Sequence, residues 1–341
     1  MTGAPPRSRA TGRVTLADVA RAAGVSPITA SRALRGARAV APELVAKVRE
    51  AADRLGYQPD PAARALATSR SANVVVLVPL LSNALFVDLL EAAQAALFPA
   101  GYQTLIGITH YDREEEERLL DSFMAHRPAG LLVTGFDRSE MARRLIERSG
   151  VPVVYMMEMT TAPDVYCVGF SQEQGGQAVT QHLLDRGRRR IAFCAAQLDP
   201  RTLQRAEGYR RCLRQAGLYD PALELLNPGR SSMVLGDQLF RELRARHPDV
   251  DAVFFNNDDL AQGALLAAWR LGVEIPRQVA VAGFNDLTGS DLVVPPLTSV
   301  RTPRAAIGRE AALMLLALIE GRPVPRPRLD LGYELVVRGS S

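Results

Sequence analysis

Cysteine is scarce in this 341-residue chain, and the three that occur, Cys167, Cys194 and Cys212, are odd in number and nowhere spaced as CxxC. That excludes a disulfide framework and a zinc site built on paired thiolates, and free thiols in a reducing compartment are expected. Histidine is as sparse, and His110, His126, His182 and His247 show no metal-ligand spacing. No uncharged run approaches the roughly 20 residues that span a bilayer, and the N-terminus lacks the apolar stretch of a signal peptide. A cytoplasmic location without a membrane partner is the expectation. Phosphate-cradling loops are missing too, since neither GxxxxGK nor a strand-borne GxGxxG occurs. The one suggestive carboxylate doublet, Asp258–Asp259, falls at a helix start where adjacent side chains diverge. With no nucleophile–base set beside it, neither catalysis nor a cofactor nor a bound metal is expected.

What is present describes a globular protein, with 47% hydrophobic and 23% charged residues. Its length exceeds one compact core, so two or three domains are expected. The net charge of +4 is unevenly spread. Through Arg70 there are twelve basic and five acidic residues, a local balance of +7 that leaves −3 on the remainder. A small basic module on a mildly acidic body suggests a polyanion partner for the module alone.

Within that module Thr15 and Asp18 form a T-x-x-D capping box, followed by Leu16, Val19, Ala20 and Ala23 on one helical face. Gly24 permits a tight turn, Ser26 is a natural N-cap, and Pro27 suits a first helical turn. The second helix, running to about Arg35, turns Ala30 and Leu34 inward and leaves Ile28, Ser31 and Arg32 on other faces. A third spans Pro42 to Leu55, with Val45, Val48, Ala52 and Leu55 as its stripe and Gly56 as its stop. The small residues at the first crossing give helix-turn-helix geometry, whose second helix can enter a major groove. A generic three-helix bundle would share the same pattern.

The segments VTLADVARAAGVSPITASRALRG and LGYQPDPAARALATSRS resemble the DNA-binding headpiece and hinge of the lactose-repressor (LacI/GalR) family. The resemblance implies a homodimer, or a higher oligomer, on a pseudo-palindromic double-stranded DNA operator. It places Pro27, Ile28 and Arg32 where the family reads base edges, and Ser26, Thr29 and Ser31 where it mostly contacts phosphates. Arg32 can grip guanine O6 and N7 bidentately, whereas Ile28 offers only apolar contact to a thymine methyl. Many relatives carry two polar residues where this chain has Pro27 and Ile28. Leu66 corresponds to the hinge leucine that wedges into the minor groove and kinks the duplex. Asp60 stands where the hinge usually has Asn.

Beyond Asn73 apolar strand candidates alternate with helical stretches: 74–80, 104–109, 130–135, 152–157, 190–195, 252–257 and 279–284. Strands apolar on both faces with helical crossovers mean parallel, doubly wound sheets, and the run is too long for one. Two similar lobes with a cleft between them are expected, and ligands in such sheets sit at the carboxyl ends of strands. Ser82, Asn83 and Phe86, then His110 to Asp112, Phe136 and Asp137, Phe170 and Ser171, Asn257 and Asp258, and Asn285 and Asp286 fall at those ends. Hydrogen-bonding groups with aromatics suit a polyhydroxylated ligand, although any one of these residues could equally be a solvated loop residue.

The family resemblance continues through RAEGY (205–209), NDDLAQGAL (257–265) and GFND…PPLTSV (283–300), and implies effector roles for Arg205, Asn257 and Asn285. Asn285 replaces the family's more usual Asp, which lowers repulsion toward an anionic ligand. Within the family, GYQT (101–104), QLDPRT (197–202), VFFNNDDLAQGA (253–264) and LDLGYEL (329–335) look most like gluconate-utilisation repressors. A sugar acid needs a cation in the cleft, which Arg205, with Arg201 nearby, can supply.

The fold class expected is an N-terminal three-helix helix-turn-helix headpiece, a hinge helix and a two-lobed, periplasmic-binding-protein-like doubly wound α/β domain. The expected boundaries are a disordered tail 1–13, headpiece 14–57, hinge 58–72 and effector and dimerisation domain 73–341. The first lobe would take about 73–184 and 303–330, the second about 185–302 and 331–341. The function expected is a repressor released from its operator by a gluconate-type acid. Alternatives are a regulator answering 2-ketogluconate or a neutral sugar, and a sugar-binding protein with no DNA function.

Overall fold

Thr15 opens the first helix as its spacing predicts: its hydroxyl accepts from the Asp18 amide at 3.3 Å, and the Asp18 carboxylate accepts from the Thr15 amide at 3.0 Å. The computed structural model describes residues 14–34, 40–58, 71–81 and 84–341, in two units divided after Ser71. The tail 1–13 and nearly all of the expected hinge, Leu66 and Asp60 included, lie outside the described residues, as do Ser82 and Asn83.

In the first unit, α1 (Leu16–Ala23) ends on Gly24 at φ +66°, the left-handed geometry that glycine adopts without strain. Helices α2 (Pro27–Leu34) and α3 (Pro42–Leu55) complete the module. Its core is made of small side chains, chiefly Val19, Ala20, Ala23, Ala30, Ala33, Val48, Ala51 and Ala52, so three short helices approach closely. Alanine 33, not Leu34, is the second buried residue of α2, and Leu34 only flanks the core.

The second unit holds two parallel sheets. In the first, β1 (Asn73–Val78), β2 (Gln103–Ile108), β3 (Gly130–Thr134), β4 (Val153–Met156), β5 (Cys167–Gly169) and β11 (Arg328–Asp330) lie in the order β11-β5-β4-β3-β1-β2. The second orders β6 (Ile191–Ala196), β7 (Glu224–Asn227), β8 (Ala252–Phe255) and β9 (Ala280–Ala282) as β7-β6-β8-β9. All seven apolar runs of the sequence are strands. Alternate residues serve opposite faces: Val74, Val76 and Val78 join the core under α4 (Ala84–Leu97) and α11 (Arg304–Ile319). Val75 and Leu77 face α5 (Arg113–Ala125) and α6 (Glu140–Ser149). The second sheet lies between α7 (Gln172–Asp185) with α8 (Pro200–Gln215) and α9 (Met233–Arg246) with α10 (Asp258–Leu271).

Helix α7 was expected to close the first lobe, but it packs on α8 and belongs to the second. The reason is a glycine-lined crossing: a Cβ on Gly208 would lie 2.0 Å from the Glu173 carbonyl oxygen, and one on Gly176 2.3 Å from that of Arg205. The chain therefore changes lobe just after β5. It returns after β10 (Ser299–Arg301), and crosses again between β11 and β12 (Glu334–Val336), β10 and β12 forming an antiparallel pair.

Candidate functional site

On α2 the residues expected to meet DNA lie away from the buried Ala30 and Ala33. Ser26 caps the helix, its Oγ accepting from the Thr29 amide at 3.1 Å and lying 2.9 Å from the Thr29 hydroxyl. Thr29 and Ser31 are half-buried, while Pro27, Ile28 and Arg32 are exposed. Ile28 leaves 66% of its surface in solvent, and Arg32 follows four residues later on the same face. An exposed apolar group beside a guanidinium matches the requirements of base-edge contact.

In the second unit a cavity of about 250 Å³ opens where the strand ends of the two lobes face each other. Its first-lobe wall is apolar and aromatic, with Leu80, Leu85, Phe86, Tyr111 and Met157. The second-lobe wall is polar apart from Met233, with Gln197, Thr202, Ser231, Ser232, Asn256 and Asn257 beside Asp199, Asp259 and two arginines. Asn285, from the connection after β9, closes the end. Four lining residues hold left-handed backbone: Tyr111 at φ +62°, Met157 at +74°, Gln197 at +55° and Asn285 at +104°. Strained non-glycine geometry of that kind persists only where the surroundings enforce it, and it gathers at binding sites.

The two arginines differ in their partners. Arg201 and Arg205 are each 5% exposed and one helical turn apart on α8. Arg201 is paired with two carboxylates, Nε to Asp199 Oδ1 at 3.3 Å and Nη1 to Glu158 Oε2 at 3.6 Å. Burial acts to lower its proton affinity, but the carboxylates of Asp199 and Glu158 outweigh it and hold the guanidinium firmly charged. Arg205 has no carboxylate partner among the described residues. Its Nε donates to Gln172 Oε1 at 2.8 Å, its Nη1 to the Asn256 carbonyl at 2.6 Å, and its guanidinium stacks 3.9 Å from the Phe284 centroid. Burial, aggravated by Arg201 and only partly offset by the Asp199 carboxylate beyond ion-pair distance, pulls its pKa down to about 10, which still leaves it cationic at neutral pH. A buried charge without a counter-charge is costly, and an anion in the cavity would relieve that cost.

Further polar atoms await partners. Gln197 Oε1, Arg201 Nη1 and Asn285 Oδ1 are buried without a hydrogen bond among the described residues. Burial pushes the Tyr111 hydroxyl up to about 12, so it stays a neutral donor. Asn257 caps α10, its Oδ1 accepting from the Leu260 amide at 3.1 Å and the Ser231 hydroxyl at 2.9 Å. Asn256 ties β6 to α8 through the Ala196 backbone and the Thr202 hydroxyl, and so positions Arg205.

Of the ligand-site residues expected, Phe86, Arg201, Arg205, Asn257 and Asn285 line this cavity. Asp137 does not: it lies in a separate recess of about 20 Å³ with Glu116, Tyr111 and Arg201. Gly135, at φ +71°, turns the chain there, and Tyr111 and Arg201 line both spaces. Phe136 and Phe170 are also absent from the wall, packing on Tyr155 and Phe284. Gln197 and Asn256 also line the cavity, and Glu158 pairs with Arg201 from outside the lining, although none of the three stands out in the sequence. Glu158 directly follows the apolar run 152–157, a strand-end position that the carboxyl-end rule covers.

Among the described residues no helix is long and apolar enough to cross a membrane, and no group of three or more His, Cys, Asp or Glu could hold a metal. A helix-turn-helix and a two-lobed domain with a polar ligand cavity define a ligand-responsive DNA-binding regulator. Residues 15–60 match the family described as "Bacterial regulatory proteins, lacI family", and residues 180–341 match "Periplasmic binding protein-like domain". The "HTH-type transcriptional regulator GntR" of Pseudomonas aeruginosa is 59% identical over 334 residues, 98% of this chain and 97% of that protein. Among solved structures, the transcription regulator GntR from Chromobacterium violaceum is 47% identical with TM-score 0.77, over 79% of this chain and 99% of that one. A LacI-family regulator from Silicibacter pomeroyi is 32% identical with TM-score 0.86, over 96% and 99%. The chain belongs to the LacI family of bacterial transcriptional regulators. It is a DNA-binding regulator and not an enzyme.

Proposed function

We propose that this protein is a cytoplasmic repressor that binds a pseudo-palindromic operator as a homodimer and releases it when a gluconate-type sugar acid enters the cavity. The observation that carries the ligand class is Arg205, a buried guanidinium without a carboxylate partner among the described residues, set among amides and hydroxyls. A carboxylate on Arg205 completes the charge, hydroxyls meet the free acceptors of Gln197 and Asn285, and the carbon chain lies on Phe86. The name GntR carried by the Pseudomonas aeruginosa and Chromobacterium violaceum proteins supports the same class. The test is an operator gel shift under titration. Gluconate should lower operator affinity by about 5–150-fold, the usual span of coupling between two sites. A response to neutral sugars alone, or to 2-ketogluconate alone, would replace gluconate as the ligand.

In the headpiece, Pro27, Ile28 and Arg32 are proposed to meet base edges, and Ser26, Thr29 and Ser31 phosphates, with Leu66 as the minor-groove wedge by family likeness. Arg32→Ala should weaken operator binding by about 1–3 kcal/mol and relax selectivity at one symmetric base pair. Binding curves on operators varied one pair at a time check this, and unchanged selectivity would remove Arg32 from base readout.

A further inference from the structure

We propose that Glu158 is a specificity-determining residue that restricts the cavity to acids carrying a single carboxylate. The inference rests on the sugar-acid reading of the cavity and adds a rule about ligand charge. Arg201 and Arg205 project from one face of α8, equally buried and one turn apart, a spacing of roughly 6 Å between Cβ atoms. Left to themselves they would form a fork for a six-carbon diacid, one guanidinium for each end. Arg201 already has two carboxylates beside it, whereas Arg205 has none within ion-pair distance among the described residues.

Arg201 is held by two carboxylates with different duties. Asp199 is the N-cap of α8, its Oδ1 accepting from the Arg201 and Thr202 amides. Glu158 caps nothing. It comes from the other lobe, just after β4, is 2% exposed, and reaches Arg201 Nη1 at 3.6 Å. Gln204 Nε2 donates to its Oε1 at 2.7 Å and the Phe136 amide to its Oε2 at 3.3 Å, so the carboxylate cannot swing away without stranding two donors. Gly135 supplies the room, since a Cβ there would lie 2.6 Å from Glu158 Oε2 and 2.5 Å from Arg201 Nη1. Glu158, outside the cavity lining, thus neutralises from behind the wall the cation that the second carboxylate of a diacid would seek, and sets a like charge next to it. Rejection through a like charge is a common route to specificity.

The test is calorimetric titration of the full-length protein with an aldonate, gluconate, and its aldarate counterpart, glucarate, which differ only in the terminal group. Wild type should bind gluconate at least about 30-fold more tightly than glucarate, the scale expected when one charge loses its partner and meets a like charge. Glu158→Gln, nearly isosteric, should narrow that ratio about tenfold or more, mainly by gaining glucarate. Glu158→Asp keeps the charge and should keep the preference for gluconate. Two results would overturn the proposal: an unchanged ratio in Glu158→Gln, or loss of the preference in Glu158→Asp, which would show that packing and not charge sets it. Should Glu158→Gln fail to fold, the wild-type ratio still decides, because equal affinity for the two acids contradicts the rule. Failure of wild type to bind either acid would instead refute the sugar-acid reading itself.

Discussion

Arg205→Met is expected to weaken gluconate binding by about two to three orders of magnitude and to leave a regulator that stays on its operator when the acid is added. A buried charge-assisted bond to a carboxylate is worth about 2–5 kcal/mol when one partner is removed, and each 1.4 kcal/mol is tenfold in affinity. Methionine keeps most of the length and volume of the side chain, so the cavity wall is not opened. The substitution also strands Gln172 Oε1 and the Asn256 carbonyl, which now accept from Arg205. That costs stability by about 1–3 kcal/mol and should appear as a lower melting temperature. Operator affinity without ligand should be nearly unchanged, because the headpiece folds around a core of its own. Calorimetry with gluconate and gel shifts with and without it check both halves. Undiminished binding to Arg205→Met would dismiss Arg205 as the acid's anchor.

The same residue connects binding to movement. Gln172 accepts from Arg205 through Oε1 and donates through Nε2 to the Met157 carbonyl of the first lobe at 2.9 Å. Near the crossovers Arg304 joins Asp88 of α4, at 2.9 Å, to the carbonyl of Asn285, whose side chain lines the cavity. A ligand that engages Arg205 and Asn285 therefore touches two groups already bonded across the lobes. It can shift the lobe equilibrium only by the difference in its affinity for the two arrangements.

The long apolar strands and the capped headpiece helices were legible because burial on both faces, or on one stripe, writes a continuous or periodic pattern. Segments such as ELLN, SVR, RLD and ELV write neither, and β7, β10, β11 and β12 are strands through their neighbours. In α2, Ala33 and Leu34 lie three and four residues after Ala30, and both offsets fit a helical stripe. Packing against two alanine-rich helices favours the smaller. At the cavity the carboxyl-end rule located the region, which is why Phe86, Asn257 and Asn285 are in it, and the family resemblance through RAEGY added Arg205. The rule carries no information on direction, so Asp137 was expected there although the turn at Gly135 sends it into another recess. Nor does a sequence alone tell the two arginines of α8 apart. Folding sets both Asp199 and the distant Glu158 against Arg201, while no carboxylate among the described residues pairs with Arg205.

Between about pH 4 and pH 7 the ligand-binding unit is expected to lose stability as the pH rises, on the order of 4 kcal/mol through Asp258 alone, a dependence that Asp258→Asn should remove. Asp258 is fully buried at the start of α10. Its Oδ1 accepts from the Ser299 hydroxyl and its Oδ2 from the Leu287 amide, each at 2.6 Å. Burial pushes its pKa up to about 7, and those two donors offset only part of the effect. In the unfolded chain the same carboxyl ionises near pH 4, so over the intervening range the folded protein holds a proton that the unfolded one has released. Folding is then progressively disfavoured as that proton becomes scarcer, by about 1.4 kcal/mol for each tenfold difference in proton affinity. Below the window both states are protonated and above it both are ionised, so the dependence stops at each end. Asparagine has no proton to lose, and can accept from the Leu287 amide while donating to Ser299. The carboxyls of Glu158 and Asp259, which burial also pushes up, titrate in both proteins and cancel in the difference. Urea unfolding of the two proteins at half-unit steps from pH 4 to pH 8 provides the measurement. Parallel stability curves would show that Asp258 is ionised in the folded protein throughout, and that Ser299 and Leu287 suffice to hold its charge.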